Sequence, residues 1–188
     1  MDTKIAAVEV INLVRPIVAI TRYIIFSAHA LHEHPEYRQK LRNNDSLYEL
    51  FIHEVRRFYP FFPFTSAKVR KTFDWNGVNF PKGSMVLLDI YGTNHDEKTW
   101  TDPGKFIAER FSDWNGSPYN FIPQGGGSHN LNHRCPGEWI TIKLSKIALR
   151  FLVKKMDYTV PEQDLRIDLG RIPAIPESRF RIAMVKKR

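Results

Sequence analysis

Residues 121–137 read FIPQGGGSHNLNHRCPG and carry the only cysteine of the chain, Cys135. A glycine-rich segment holding His and Arg leads into Pro136, Gly137 and Glu138. Downstream, Ile140, Leu144, Ile147 and Phe151 recur at intervals of four, three and four, the apolar stripe of a helix. Cys135 is therefore expected just before a helix N-terminus. Free N–H groups and the helix dipole there favour an anion, which biases a cysteine toward thiolate. A lone cysteine is commonly just a small buried hydrophobe. Flanking Gly, His and Arg argue instead for a loop whose backbone approaches something large and charged. A haem with an axial thiolate and two propionates fits that description.

Taken together, the Phe-initiated glycine-rich loop, HRCPG and the following helix resemble the haem-ligand loop of the cytochrome P-450 superfamily. His133, Cys135 and Gly137 match the end of the family pattern, and Phe121 its start. Phe121 lies fourteen residues before Cys135, twice the usual separation. The longer form beginning FIPQGGG is similar to that of the fatty-acid peroxygenase branch, which uses hydrogen peroxide. That branch has glycine directly before His-Arg-Cys, where this chain has Asn132. The resemblance implies haem b as cofactor, Cys135 as axial ligand to its iron, and Phe121, His133, Arg134 and Gly137 as residues around the cofactor.

The first helix supports the same reading. From Ile5 to Ala30 it is apolar almost all round, which predicts a helix buried in a domain interior. Arg15 and Pro16 sit in its middle. Pro16 removes the hydrogen bond to the Asn12 carbonyl, at a cost of about 3 kcal/mol, and predicts a kink. Positions three and four from Arg15 are Ile11, Asn12, Val18 and Ala19, so no carboxylate of this helix neutralises it. Either a distant acid or a ligand anion must. NLVRPIVAI (12–20) resembles the distal helix of the peroxygenases, where Arg-Pro replaces an acid-alcohol pair. The resemblance makes Arg15 the anchor of the fatty-acid carboxylate and Pro16 its companion.

HEVRR (53–57) carries the third signal. Ser46 and Glu49 have capping-box spacing at the start of its helix, and Pro60 stops it. Leu47, Leu50, Phe51, Val55 and Phe58 share one face, with Glu54 at its centre, Arg57 at its edge and Arg56 pointing the opposite way. A carboxylate inside an apolar face needs a partner, and Arg57 is within reach. This resembles the superfamily's Glu-x-x-Arg motif, and PGKFIAERF (103–111), similar to the segment that supplies a second arginine, offers Arg110. The resemblance implies a structural clamp of Glu54, Arg57 and Arg110. Asn94-His95-Asp96 also resembles a family segment, with Glu97 where the family has proline.

Composition bounds the rest. The 188 residues suffice for one core, and the aromatic content of 13%, with thirteen Phe, suits a large apolar pocket. One cysteine excludes an internal disulfide and suits a reducing, cytoplasmic compartment. The formal net charge is +8, but Lys and Arg are scattered, which argues against nucleic-acid binding. No signal peptide is visible. The longest apolar runs carry charges or prolines, so no transmembrane helix is expected. Helices are predicted at about 3–33, 35–42, 46–59 and 137–155. Residues 65–91 read as strands (69–75 and 85–90) around Asn76-Gly77 and Pro81-Lys82-Gly83. The fold class is thus mainly α with a small antiparallel sheet.

The order of motifs matches the C-terminal half of the cytochrome P-450 fold, making 1–188 the C-terminal portion of one haem-thiolate domain. The resemblance implies that the N-terminal half is absent, leaving apolar surface exposed, and that this half is a possible partner. It further implies a peroxygenase that hydroxylates long-chain fatty acids at the alpha or beta carbon, or decarboxylates them, with hydrogen peroxide and no reductase. Segments 61–64 and 173–176 are expected to line the pocket. The alternatives are a reductase-dependent monooxygenase and an inactive remnant that at most binds haem.

Overall fold

The computed structural model describes residues 2–188. Helix α1 (Thr3–Glu33) runs unbroken through Pro16, and the Asp2 carboxylate caps it by accepting from the Lys4 N–H at 2.7 Å. Helices α2 (Glu36–Asn43) and α3 (Leu47–Phe58) follow. The Ser46–Glu49 capping box does not form. Ser46 already has helical backbone angles, and its N–H and hydroxyl both turn back to Asn44 Oδ1 at 3.0 and 2.7 Å, while Glu49 pairs with Lys146. Asn44 is thus the residue that satisfies the chain at this helix start.

Strands come as three antiparallel ribbons rather than one sheet. Strand β1 (Phe64–Lys68) pairs with β4 (Met85–Asp89), and between them β2 (Phe73–Trp75) turns into β3 (Val78–Phe80). That turn uses Asn76 and Gly77, both with positive φ, as Asn-Gly in a two-residue hairpin requires. A five-residue helix, α4 (Ile90–Asn94), leaves β4, and Ala108–Phe111 form a 3-10 turn. Helix α5 (Glu138–Arg150) continues through a π-helical turn at Phe151–Lys155 into β5 (Met156–Thr159), which pairs with β6 (Ala183–Lys187).

The core gathers where the end of α1, α2, α3 and the end of α5 converge on Phe26, Leu31, Leu41, Tyr48, Phe51 and Leu149. Phe26 stacks on Tyr59 with centroids 5.0 Å apart. Two expectations about helix faces fail. Only the C-terminal part of α1, from Tyr23 to Leu31, is buried, whereas Ile5, Val8, Ile11, Leu13, Val14 and Ile17 are exposed. In α5 the predicted stripe of Ile140, Leu144, Ile147 and Phe151 faces outward. The buried face is Thr141, Ser145 and Leu149, whose first two small side chains suit the close approach of α1 and α3. Periodicity marks a stripe but not what covers it.

The expectation about membranes turns on the same helix. Helix α1 contains an 18-residue window of mean hydropathy 1.5, long and apolar enough to span a bilayer. Only 17% of that window is buried within this chain.

Candidate functional site

The cysteine loop is built on an aromatic base. Phe121 is buried among Trp100 and Phe111, with Trp114 against the cluster. The next residue, Ile122, donates its N–H to Asn94 Oδ1 at 2.9 Å. From there the chain folds back on itself, so that Gly125 bridges Arg134 in antiparallel fashion. Gly125 and Gly127 have positive φ, and a Cβ on Gly125 would collide with the His133 carbonyl. Glycine is required at 125 both for its backbone angle and for this approach. Asn132, the departure from the branch pattern, helps to close the loop, since its Oδ1 accepts from the Ser128 N–H at 2.9 Å.

Cys135 is half-buried, and its backbone is tied at both ends. Its N–H donates to the Gln124 carbonyl at 2.9 Å, and its carbonyl accepts from the Glu138 N–H at 3.2 Å. Helix α5 begins at Glu138 with Gly137 as its cap, one residue later than the sequence suggested.

Beneath the loop lies a network that sequence reasoning missed. Arg56 does not point into solvent: it is 1% exposed. Its guanidinium donates to Glu138 and, at 3.1 Å, to Gln124 Oε1, and its third contact is His53 Nδ1 at 3.0 Å. Glu138 also accepts from Arg134 at 2.6 and 3.2 Å and contacts His129 Nε2 at 3.0 Å. Burial raises the Glu138 pKa, but hydrogen bonds from Arg134 and the charge of Arg56 outweigh it and hold it down to about 2. His53 is pushed to about 4, first by burial and then by Arg56. Arg134 also donates to the Gly127 carbonyl at 3.1 Å, so its fork serves the loop itself. His133 is exposed. The one local signal was Arg134 four residues before Glu138, too common a pattern to single out, and nothing in the sequence linked either to Arg56.

The structure brings Glu54, Arg57 and Arg110 together. Arg57 engages Glu54 through two bonds of 2.8 Å, and both side chains are fully buried. Arg110 Nε reaches Glu54 at 3.2 Å, and the Ile107 N–H donates to it at 2.8 Å. The remaining Arg57 donors reach the carbonyls of Asn94 and Pro103 at 3.0 Å and Lys105 at 3.2 Å. Each charge is compensated, as burial demands. Asn94 joins the two networks, since its carbonyl accepts from Arg57 and its side chain from the loop.

Arg15 lies on the exposed stretch of α1, and no carboxylate among the described residues forms an ion pair with it. Two turns on, Tyr23 is buried and its hydroxyl donates to the Pro123 carbonyl of the loop at 3.4 Å, tying α1 to the cysteine segment. Segments 61–64 and 173–176 meet, the Ala174 N–H donating to the Phe61 carbonyl at 2.9 Å.

This geometry has counterparts among solved structures. Cytochrome P-450SP alpha in complex with (R)-ibuprophen matches with a TM-score of 0.88 and 52% identity, over 96% of this chain and 44% of that one. Cytochrome P-450EX alpha with myristic acid matches with a TM-score of 0.89 and 43% identity, over 100% and 46%. A variant of cytochrome P-450 OleT in complex with arachidonic acid gives 0.89 and 44%, over 100% and 45%. Among curated proteins, cytochrome P-450 3A11 of Mus musculus is 28% identical over 84% of this chain and 34% of its own length. Cytochrome P-450 3A5 of Homo sapiens is 29% identical over 79% and 33%. The chain thus spans about a third of these curated relatives. The cytochrome P-450 family model matches residues 27–181, from the buried end of α1 past the cysteine loop to just before β6, and the chain belongs to that family.

Proposed function

We propose that this chain carries the thiolate side of a fatty-acid peroxygenase, a haem enzyme that hydroxylates long-chain fatty acids near the carboxylate, or decarboxylates them, with hydrogen peroxide. Haem b is the cofactor of the family, and the residues present fit it. Cys135 is the only thiol of the chain, it is half-exposed, and its backbone is tied at both ends. Gly137 adjoins its Sγ, exposed His133 precedes it by two residues, and Phe121 anchors the start of the loop in the aromatic cluster. Haem held there supplies the redox chemistry of peroxide activation.

What remains falls to the residues of this chain. Arg15 holds the fatty-acid carboxylate by forked N–H···O bonds, and Pro16 fixes the backbone beside it. The held carboxylate accepts a proton from peroxide and returns it, the general acid-base role that a protein side chain fills elsewhere. No reductase partner is needed. Cys135 is the iron ligand, while Glu54, Arg57 and Arg110 clamp the segment behind the loop. The observation that carries the reading is Arg15: a cation in an otherwise apolar stretch, without an acid partner among the described residues. Fatty acids in two of the similar structures, myristic and arachidonic, support the substrate class.

The test loads the chain with haem and adds myristic acid and peroxide, with no reductase present. Arg15→Ala should leave the thiolate-type carbon-monoxide band in place and cut fatty-acid binding at least tenfold, the loss of a charge-assisted pair. Cys135→Ala should abolish that band. Turnover that starts only when a reductase is supplied would favour the reductase-dependent monooxygenase alternative. Unchanged binding in Arg15→Ala would refute the anchoring role.

A further inference from the structure

The backbone of Cys135 is held by two hydrogen bonds, to the Gln124 carbonyl and from the Glu138 N–H. The side chains of those same two residues, Gln124 and Glu138, are both held by Arg56. One guanidinium therefore grips the residue on each side of the cysteine's backbone bonding. We infer that Arg56 is a positioning residue for Cys135, fixing where the thiol stands relative to α3.

Three observations support this. Arg56 is buried, and a buried ion pair is a poor device for stability alone, since apolar replacements of similar volume commonly do as well. Its donors are directional: Nε addresses Gln124 while Nη2 addresses Glu138, a division a planar guanidinium makes and an ammonium does not. Finally, the adjacent Arg57 serves a separate network built on Glu54. Two successive arginines on one helix thus hold two different bodies, Arg57 the segment around Lys105 and Arg56 the cysteine loop.

The inference rests on the haem-thiolate reading only for what the positioning serves. Amide hydrogen exchange on the haem-free chain tests it without that reading. In Arg56→Lys, which keeps the charge and loses the fork, the Cys135 and Glu138 amides should exchange roughly tenfold faster or more. The Ile107 amide, bound to Glu54, should keep its parental rate. Gln124→Ala removes one arm without unpairing a charge and should accelerate Cys135 severalfold relative to Ile107. In the haem-loaded chain, Arg56→Lys should also lower the fraction of carbon-monoxide complex with the thiolate-type band. Parental exchange at Cys135 in Arg56→Lys overturns the inference, as does equal acceleration at Ile107. If Arg56→Lys does not fold, Gln124→Ala decides: a Cys135 rate unchanged relative to Ile107 overturns it. A parent chain that shows no thiolate band refutes the haem reading and leaves the exchange result to stand by itself.

Discussion

The interior of α3 and the outer surfaces of α1 and α5 follow opposite rules. Around α3 the chain buries three charged side chains completely, Glu54, Arg56 and Arg57, and supplies each with partners. On α1 and α5 it exposes large apolar side chains, with Leu13 at 72% and Ile17 at 68%. A buried charge without partners costs several kcal/mol, so its partners must fold with it. An exposed apolar side chain only forgoes a gain of about 1.5–3 kcal/mol, which leaves the local structure standing. The polar networks are therefore complete within this chain, whereas its apolar faces are not covered by it.

The largest effect expected from this contrast is at Glu54. Glu54→Ala leaves Arg57 buried and Arg110 without its carboxylate, and should cost about 3–5 kcal/mol. Urea unfolding followed by circular dichroism measures it. A loss below about 1 kcal/mol would mean that water or backbone carbonyls satisfy Arg57 unaided.

An intermediate effect appears with pH. His53 has a pKa near 4 when folded against an ordinary value of 6.5. Between these values the unfolded chain binds a proton that the folded one refuses, so stability falls as pH falls through this window. The span corresponds to about 2–3 kcal/mol at its lower end. Glu138 adds a second loss lower down: its folded pKa of about 2 lies below the ordinary 4.5, so its contribution, present above 4.5, fades toward 2. Replacing His53 with Gln should flatten the slope between 6.5 and 4. The same slope in both proteins would place the titrating group elsewhere.

The smallest effect should come from the apolar face. Leu13→Lys together with Ile17→Lys should change the unfolding free energy of this chain by no more than about 0.5 kcal/mol per site. Self-association, followed by sedimentation, should decrease, because the patch is contiguous along α1. A penalty above about 1 kcal/mol per site would show that the face is packed in solution.

Much of the arrangement was legible in the chain. Helix positions followed from apolar spacing and from Pro60, and Asn76-Gly77 announced a hairpin by its backbone chemistry. Glu54 stood out because a carboxylate in the centre of an apolar stripe has no place without a partner. Arg56 was misplaced for the complementary reason. On a helical wheel it lies away from the apolar residues, and nothing in a wheel shows that the cysteine loop closes over that side. The α5 stripe failed in the same way, since Thr141 and Ser145 give no hydrophobic signal yet face the core.

The sequence by itself determined the main helices, the single thiol and its glycine-rich setting, the acid-arginine pair on α3, and the arginine beside Pro16 that has no acid partner on its own helix. Each of these depends on local spacing, on backbone angles that few residues adopt, or on a residue type present once. Only the tertiary structure decided which faces are covered and which charges meet. Arg56 and Glu138 are far apart in the chain, and the bond between them exists because the loop folds back at Gly125 and sets α5 against α3. Contacts of that kind depend on where whole elements pack, and packing is settled by shape and desolvation over the assembled core rather than by any short run of residues.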